Sequence, residues 1–171
     1  IARTGLAAMA TVYAARSVAE DLIARVRWMH ARVRGVTPSG VPYAADDPKL
    51  LDWVQATAAF GFAEGYAATV RPLSRADRDQ LYAEGAAAAQ LYGATGAPTS
   101  NAEMEALFDR MRPKLEPSPI VGEFLAIMRA AAILPPPVSV LQRPLVKAAV
   151  ACVPADIRAR LEIDARSLPS P

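Results

Sequence analysis

Apolar positions along this chain recur at spacings of three and four. Between the runs that do so stand proline, glycine and small polar residues. Val18, Leu22, Val26, Met29 and Val33 form one such run, which places them on a single helix face. The punctuation predicts a succession of helices. The first covers Arg3 to Ala15. The second starts at Ser17, where Ser17-Val18-Ala19-Glu20 has the form of a capping box, and stops at Gly35. Thr37 to Asp46 holds Pro38, Gly40 and Pro42 and reads as a loop with a short extended piece around Val41 to Tyr43.

Asp47 and Pro48 then suit the N-cap and first position of a third helix that reaches Val70 before Pro72. A fourth helix starts at Ser74 and ends at Gly93. Ser100-Asn101-Ala102-Glu103 opens a fifth, which closes at Pro113. Ser118-Pro119 opens a sixth, ended by Pro135-Pro136-Pro137. Pro144 to Val153 forms a seventh, and Pro154 precedes a short last helix through Leu161. No alternating segment is long enough for a sheet. The fold class expected is all-α: one compact domain of seven or eight helices over residues 1–163, with a tail over 164–171.

Length and composition agree with a folded core. The chain has 171 residues, 53% hydrophobic and 21% charged. Its formal net charge of +2 gives no argument for nucleic acid. One Cys excludes a disulfide within the chain, and one His excludes every metal site that needs two imidazoles. No run of about 18 uncharged apolar residues occurs. Ile120 to Leu134, interrupted by Glu123 and Arg129, reads as a buried helix. The first residue is Ile1 and the chain opens directly into helical sequence, so an N-terminal part is expected to be missing. With one Cys and no visible signal, the cytoplasm is the default compartment. Membrane contact and oligomeric state stay open.

Three groups of residues are candidates for chemistry. His30 borders the apolar stripe of the second helix, one turn after Val26 and just before Val33. A neutral imidazole on an apolar face suits an axial haem ligand, with the aliphatic neighbours excluding water. It equally suits a histidine at the edge of the core, bonded to a carbonyl. Val54, Ala58, Gly61 and Gly65 set small groups along one stripe of the third helix, with Phe62 beside it. Such a stripe admits a flat macrocycle or a neighbouring helix. Arg3 and Thr4 can donate hydrogen bonds to bound oxygen or a carboxylate, or form a solvated first turn. Arg25, Arg27, Arg32 and Arg34 suit propionates or phosphates, or a solvated face. Cys152 reads as core filler. No nucleophile elbow, phosphate loop or dinucleotide fingerprint is present.

Taken in order, three segments carry a family resemblance. They are Met29-His30-Ala31-Arg32-Val33-Arg34-Gly35, Pro42-Tyr43-Ala44-Ala45-Asp46-Asp47-Pro48 and Leu51-Asp52-Trp53-Val54-Gln55-Ala56-Thr57. Together they resemble the DUF2236 family, that of the MpaB-type oxygenases and the latex clearing protein, a rubber oxygenase. A weaker likeness continues through Pro72-Leu73-Ser74, Tyr82 and Leu91-Tyr92-Gly93. The resemblance implies a helical, distantly globin-like domain. It implies haem b as cofactor, with dioxygen and a small, apolar, unsaturated substrate as partners. His30 maps to the proximal haem ligand of relatives, and Thr4, with Arg3 before it, is the nearest match to their distal pair. The spacing from Thr4 to His30 is a few residues shorter than in relatives, which sets the usual partner Arg before Ile1. Gln55 stands where many relatives have His. Haem binding or sensing without turnover, and a structural or partner-binding role, are the alternatives.

Overall fold

The computed structural model describes residues 2–37, 39–131 and 136–163, with side chains from residue 7 onward. The tail expected over 164–171 lies outside the described residues. The fold is predominantly α, as the sequence pattern predicts, with eight α-helices among the described residues. The chain divides into two compact units, Ile1–Phe60 with Leu73–Leu107, and Gly61–Pro72 with Phe108–Pro171.

The first unit holds α1 (Ala2–Tyr13), α2 (Arg16–His30), a hairpin of β1 (Arg34–Val36) and β2 (Pro42–Ala44), and the start of α3 (Pro48–Thr69). It continues with α4 (Arg75–Tyr92) and the first turns of α5 (Asn101–Met111). α2 packs on α1 and on α4. Ile23 of α2 and Tyr82, Ala86 and Ala89 of α4 are buried. Leu51, Ala89 and Ala94 form one apolar cluster, with Ala97 packed against it. Alanine contributes little burial energy per residue but lets helix backbones approach, so these contacts draw on close packing more than on area. Asp52 Oδ1 accepts from the backbone N–H of Gly96 at 2.8 Å, tying α3 to the loop after α4.

Several helix ends follow the sequence. Ser74 caps α4 in a complete capping box with Asp77, and Gly93 ends it at φ +98°. Asp47 Oδ1 accepts from Lys49 N–H at 2.8 Å at the start of α3. The start of α2 differs. Its N-cap is Ala15, with no side-chain cap, and Glu20 instead meets Arg16 Nε at 2.7 Å. The carboxylate that would have reached back to Ser17 is captured by a guanidinium one turn away. The stop also moves. α2 ends at His30, and Gly35 lies in β1, paired with Tyr43. A Cβ on Gly35 would lie 2.7 Å from the Tyr43 ring, so glycine is needed there for cross-strand contact, not for helix termination.

The second unit holds the last turns of α3, a 3-10 turn at Arg112–Lys114, α6 (Pro119–Ala130), a second 3-10 turn at Val138–Leu141, α7 (Gln142–Cys152) and α8 (Ala155–Arg160). α7 packs on α6 and on the turn that precedes it. Val150 and Ile157 are buried. Arg160 ties α8 to the 3-10 segment, donating from Nε to Leu115 O at 2.9 Å and from an Nη to Pro113 O at 2.8 Å. Arg112 reaches Asp109 at 2.6 Å and Asp156 at 2.5 Å. Serine 118 caps α6, as its position before Pro119 predicts. The expectation that α6 is a buried helix is overturned, since it contains no buried residue and Ile120, Phe124 and Ile127 are exposed. Apolar composition fixes that a face seeks cover; it does not supply the neighbour.

Candidate functional site

His30 is the last residue of α2. The inward stripe of that helix consists of Ala19, Leu22, Ile23, Val26 and His30, all buried or half-buried. Val18 and Met29, which the spacing had placed on the same face, are exposed. The stripe is thus rotated toward Ile23, and the rotation carries His30 from its border to its interior side. Val26 lies one turn before His30 on that stripe, so the structure brings these two together. Val33 lies beyond the helix end, off the stripe on which the spacing places it, and is exposed, and its backbone N–H donates to the His30 carbonyl at 2.9 Å. The reason is the early stop of α2, which takes Val33 out of helical register.

Among the described residues, the His30 ring makes no hydrogen bond and no ion pair. A half-buried imidazole with no internal partner retains a lone pair for an added ligand. No group of three or more His, Cys, Asp or Glu comes together among the described residues. A porphyrin supplies its own four nitrogens, and one axial imidazole suffices to fix it to the protein. The residues present therefore fit a haem more readily than a bare ion.

α3 buries Ala56 and Ala63 and leaves Val54, Ala58, Gly61 and Phe62 exposed, with Phe62 at 69%. A Cβ on Gly61 or Gly65 would meet nothing within 4 Å. Among the described residues, neither glycine is held by a close neighbour that a side chain there would meet. Ala58 belongs to the first unit, and Gly61 and Phe62 to the second. Thr57 bonds its own helix, donating to the Trp53 and Val54 carbonyls at 3.0 Å. Gln55 is half-buried. Arg3 and Thr4 lie in the backbone of α1, and their side chains lie outside the described residues.

The family model for the ER-bound oxygenase mpaB/B'/Rubber oxygenase catalytic domain matches residues 1–170. The chain belongs to this family. The match covers both units, and the mpaB/rubber oxygenase assignment places the chain among oxygenases. Neither the curated proteins nor the solved structures give a match. Within this mpaB/rubber oxygenase chain, the sequence reading did not single out the stacking of Arg32 on Trp28. The guanidinium carbon lies 3.1 Å from the ring centroid. The spacing of four residues was the available signal, but the end of α2 falls between them. No described helix is long and apolar enough to cross a membrane.

Proposed function

We propose that the chain is the catalytic part of a haem b-dependent oxygenase acting with dioxygen on a small, apolar, unsaturated substrate. The observation that carries this reading is the place of His30. It is the single histidine of the chain, half-buried on the inward stripe of α2, with a ring that makes no hydrogen bond or ion pair among the described residues. His30 would hold the iron of the haem, and Val26 would shield the ligand from water on the same stripe. Ala58 would supply apolar surface on the part of α3 that belongs to the same unit. Arg3 and Thr4 are the residues that would donate hydrogen bonds to dioxygen. When bound, haem supplies the redox chemistry of oxygen insertion, and the protein contributes ligation, orientation and water exclusion.

The test is a haem titration of the purified chain, read by its visible spectrum, beside His30→Ala. A stoichiometric Soret band that His30→Ala abolishes while its far-ultraviolet dichroism is unchanged is the expected result. An unchanged band in His30→Ala would overturn the ligand assignment, and no band in either protein would overturn haem dependence. With the holoprotein in hand, oxygen consumption with alkene substrates separates turnover from haem binding alone.

A second reading, a partner-binding helical domain, is favoured by the open face at Gly61 and Gly65. Light scattering on Gly61→Leu tests it: a changed oligomeric state supports an interface on α3, and an unchanged one removes it.

A further inference from the structure

Residues 22–45 of the first unit contain Arg25, Arg27, Arg32 and Arg34 and no aspartate or glutamate. Arg34 approaches Asp46 at 3.4 Å, with both side chains exposed. Among the described residues, Arg25, Arg27 and Arg32 form no ion pair. The same segment exposes six large apolar side chains: Trp28, Met29, Val33, Val36, Val41 and Tyr43. Trp28 is 62% exposed and Val36 64%. Cations at a helix C-terminus are explained by the helix dipole. The dipole does not explain why a tryptophan and three valines stand in water beside them. Exposed apolar groups interleaved with charge mark an interaction surface.

We propose that this segment, the C-terminal end of α2 with the β1–β2 hairpin, is a peripheral docking surface for an anionic lipid bilayer. The occupant follows from complementarity. Arg25, Arg27 and Arg32, which form no ion pair among the described residues, match the negative headgroup layer, with Arg34 beside them held by Asp46, and each basic residue near such a surface strengthens binding about five-fold. Trp28 and Tyr43 have the amphipathic rings that settle at headgroup depth. Valine and methionine side chains find cover at the acyl boundary. A nucleic acid would use Trp28 as a stacking platform, but Arg32 already covers one face of that ring. An acidic polypeptide would engage the arginines and leave Val36 and Val41 in water. Trp28 and His30 are two residues apart, about 200° around the helix. Docking through Trp28 therefore leaves the inward stripe of α2 free. The proposal does not depend on haem.

The test is co-sedimentation of the full chain with phosphatidylcholine vesicles, with and without one-third phosphatidylglycerol. Binding is expected on the anionic vesicles alone, and it should fall at high salt. The double variant Arg25→Gln/Arg32→Gln should bind about 25-fold more weakly, two five-fold steps. Arg25→Lys/Arg32→Lys, which keeps the charge, should retain most of the binding. Brominated lipid should quench tryptophan fluorescence in the unaltered chain and not in Trp28→Phe. Absence of binding to either vesicle overturns the proposal, as does equal binding to both or undiminished binding by the Gln variant. So does retention on heparin or polyglutamate without any vesicle binding.

Discussion

The Tyr92 hydroxyl lies 2.7 Å from Thr11 Oγ1, and it is the donor of that hydrogen bond. The assignment follows from Thr11, whose one hydroxyl proton is already given to the Ala7 carbonyl at 2.8 Å. The bond joins the end of α4 to α1 within the first unit. Tyr92→Phe removes the donor and keeps the ring. It should lower stability by about 1 kcal/mol in urea unfolding, the usual net contribution of one such bond. Thr11→Val should cost a similar amount, and the double variant should cost clearly less than the sum. Strict additivity would show that the bond contributes nothing in solution.

Serine at two helix starts gives a sharper contrast. Ser74 Oγ accepts from the Asp77 N–H at 3.1 Å, and Asp77 accepts from the Ser74 N–H at 2.9 Å. Ser74→Ala should cost about 1 kcal/mol. Ser17 heads the same kind of sequence box, yet α2 begins one residue earlier and carries no side-chain cap. Ser17→Ala should stay within about 0.5 kcal/mol of the parent. Denaturant midpoints of the two variants decide the matter. A large loss at Ser17 would restore the box.

These helix ends show what was legible in the sequence. Ser74, Asp47, Gly93 and Ser118 act through partners within four residues, so local pattern suffices to find them. The early end of α2 was not legible, because it depends on the hairpin. Gly35 pairs with Tyr43 across the turn, and Ala45 N–H donates to the Val33 carbonyl at 3.0 Å. That early end in turn takes Val33 off the stripe. His30 was visible as a candidate because it is the single histidine beside an apolar run. Its place on the inward side required the observed register of α2, with Ile23 as anchor. The exposure of α6 was not legible at all, since amphipathic spacing records a face and not its neighbour.

Glu103 gives a pH dependence with a definite sign. Its carboxylate accepts from the Thr99 backbone N–H at 2.7 Å and from Thr99 Oγ1 at 2.8 Å. These bonds, the backbone one first, hold its pKa below the ordinary carboxylate value. The folded state therefore prefers the ionised form. That preference adds stability above the ordinary glutamate range and loses it as pH falls through the lowered value. Glu103→Gln should flatten this part of the acid limb in urea unfolding between neutral and acidic pH. A carboxyl resonance of Glu103 that titrates at or above the ordinary value would contradict the assignment.

Gln142 is the buried polar residue that closes α6. Its side-chain amide donates to the Met128 carbonyl at 2.7 Å and also to the Ala131 carbonyl. Both carbonyls belong to the end of α6, where the last turns of any helix lack internal donors. The residue is 8% exposed, so water is a poor substitute. Gln142→Leu keeps the volume and strips the donors, and should cost about 1–3 kcal/mol through the unsatisfied carbonyls. Gln142→Glu tests the same geometry by charge. An ionised carboxylate facing two carbonyl oxygens is repelled, whereas a protonated one can donate to either. The folded pKa of that glutamate should be raised, because burial and the carbonyls both favour the neutral acid. Its native state then binds more protons than its unfolded state near neutral pH. Relative to the parent, the variant should recover stability as pH falls toward the ordinary glutamate range, the reverse of the Glu103 effect. Urea midpoints of Gln142→Glu and parent across that range would show the gap closing on acidification. A gap that stays constant would mean that the amide does not donate to these carbonyls in solution.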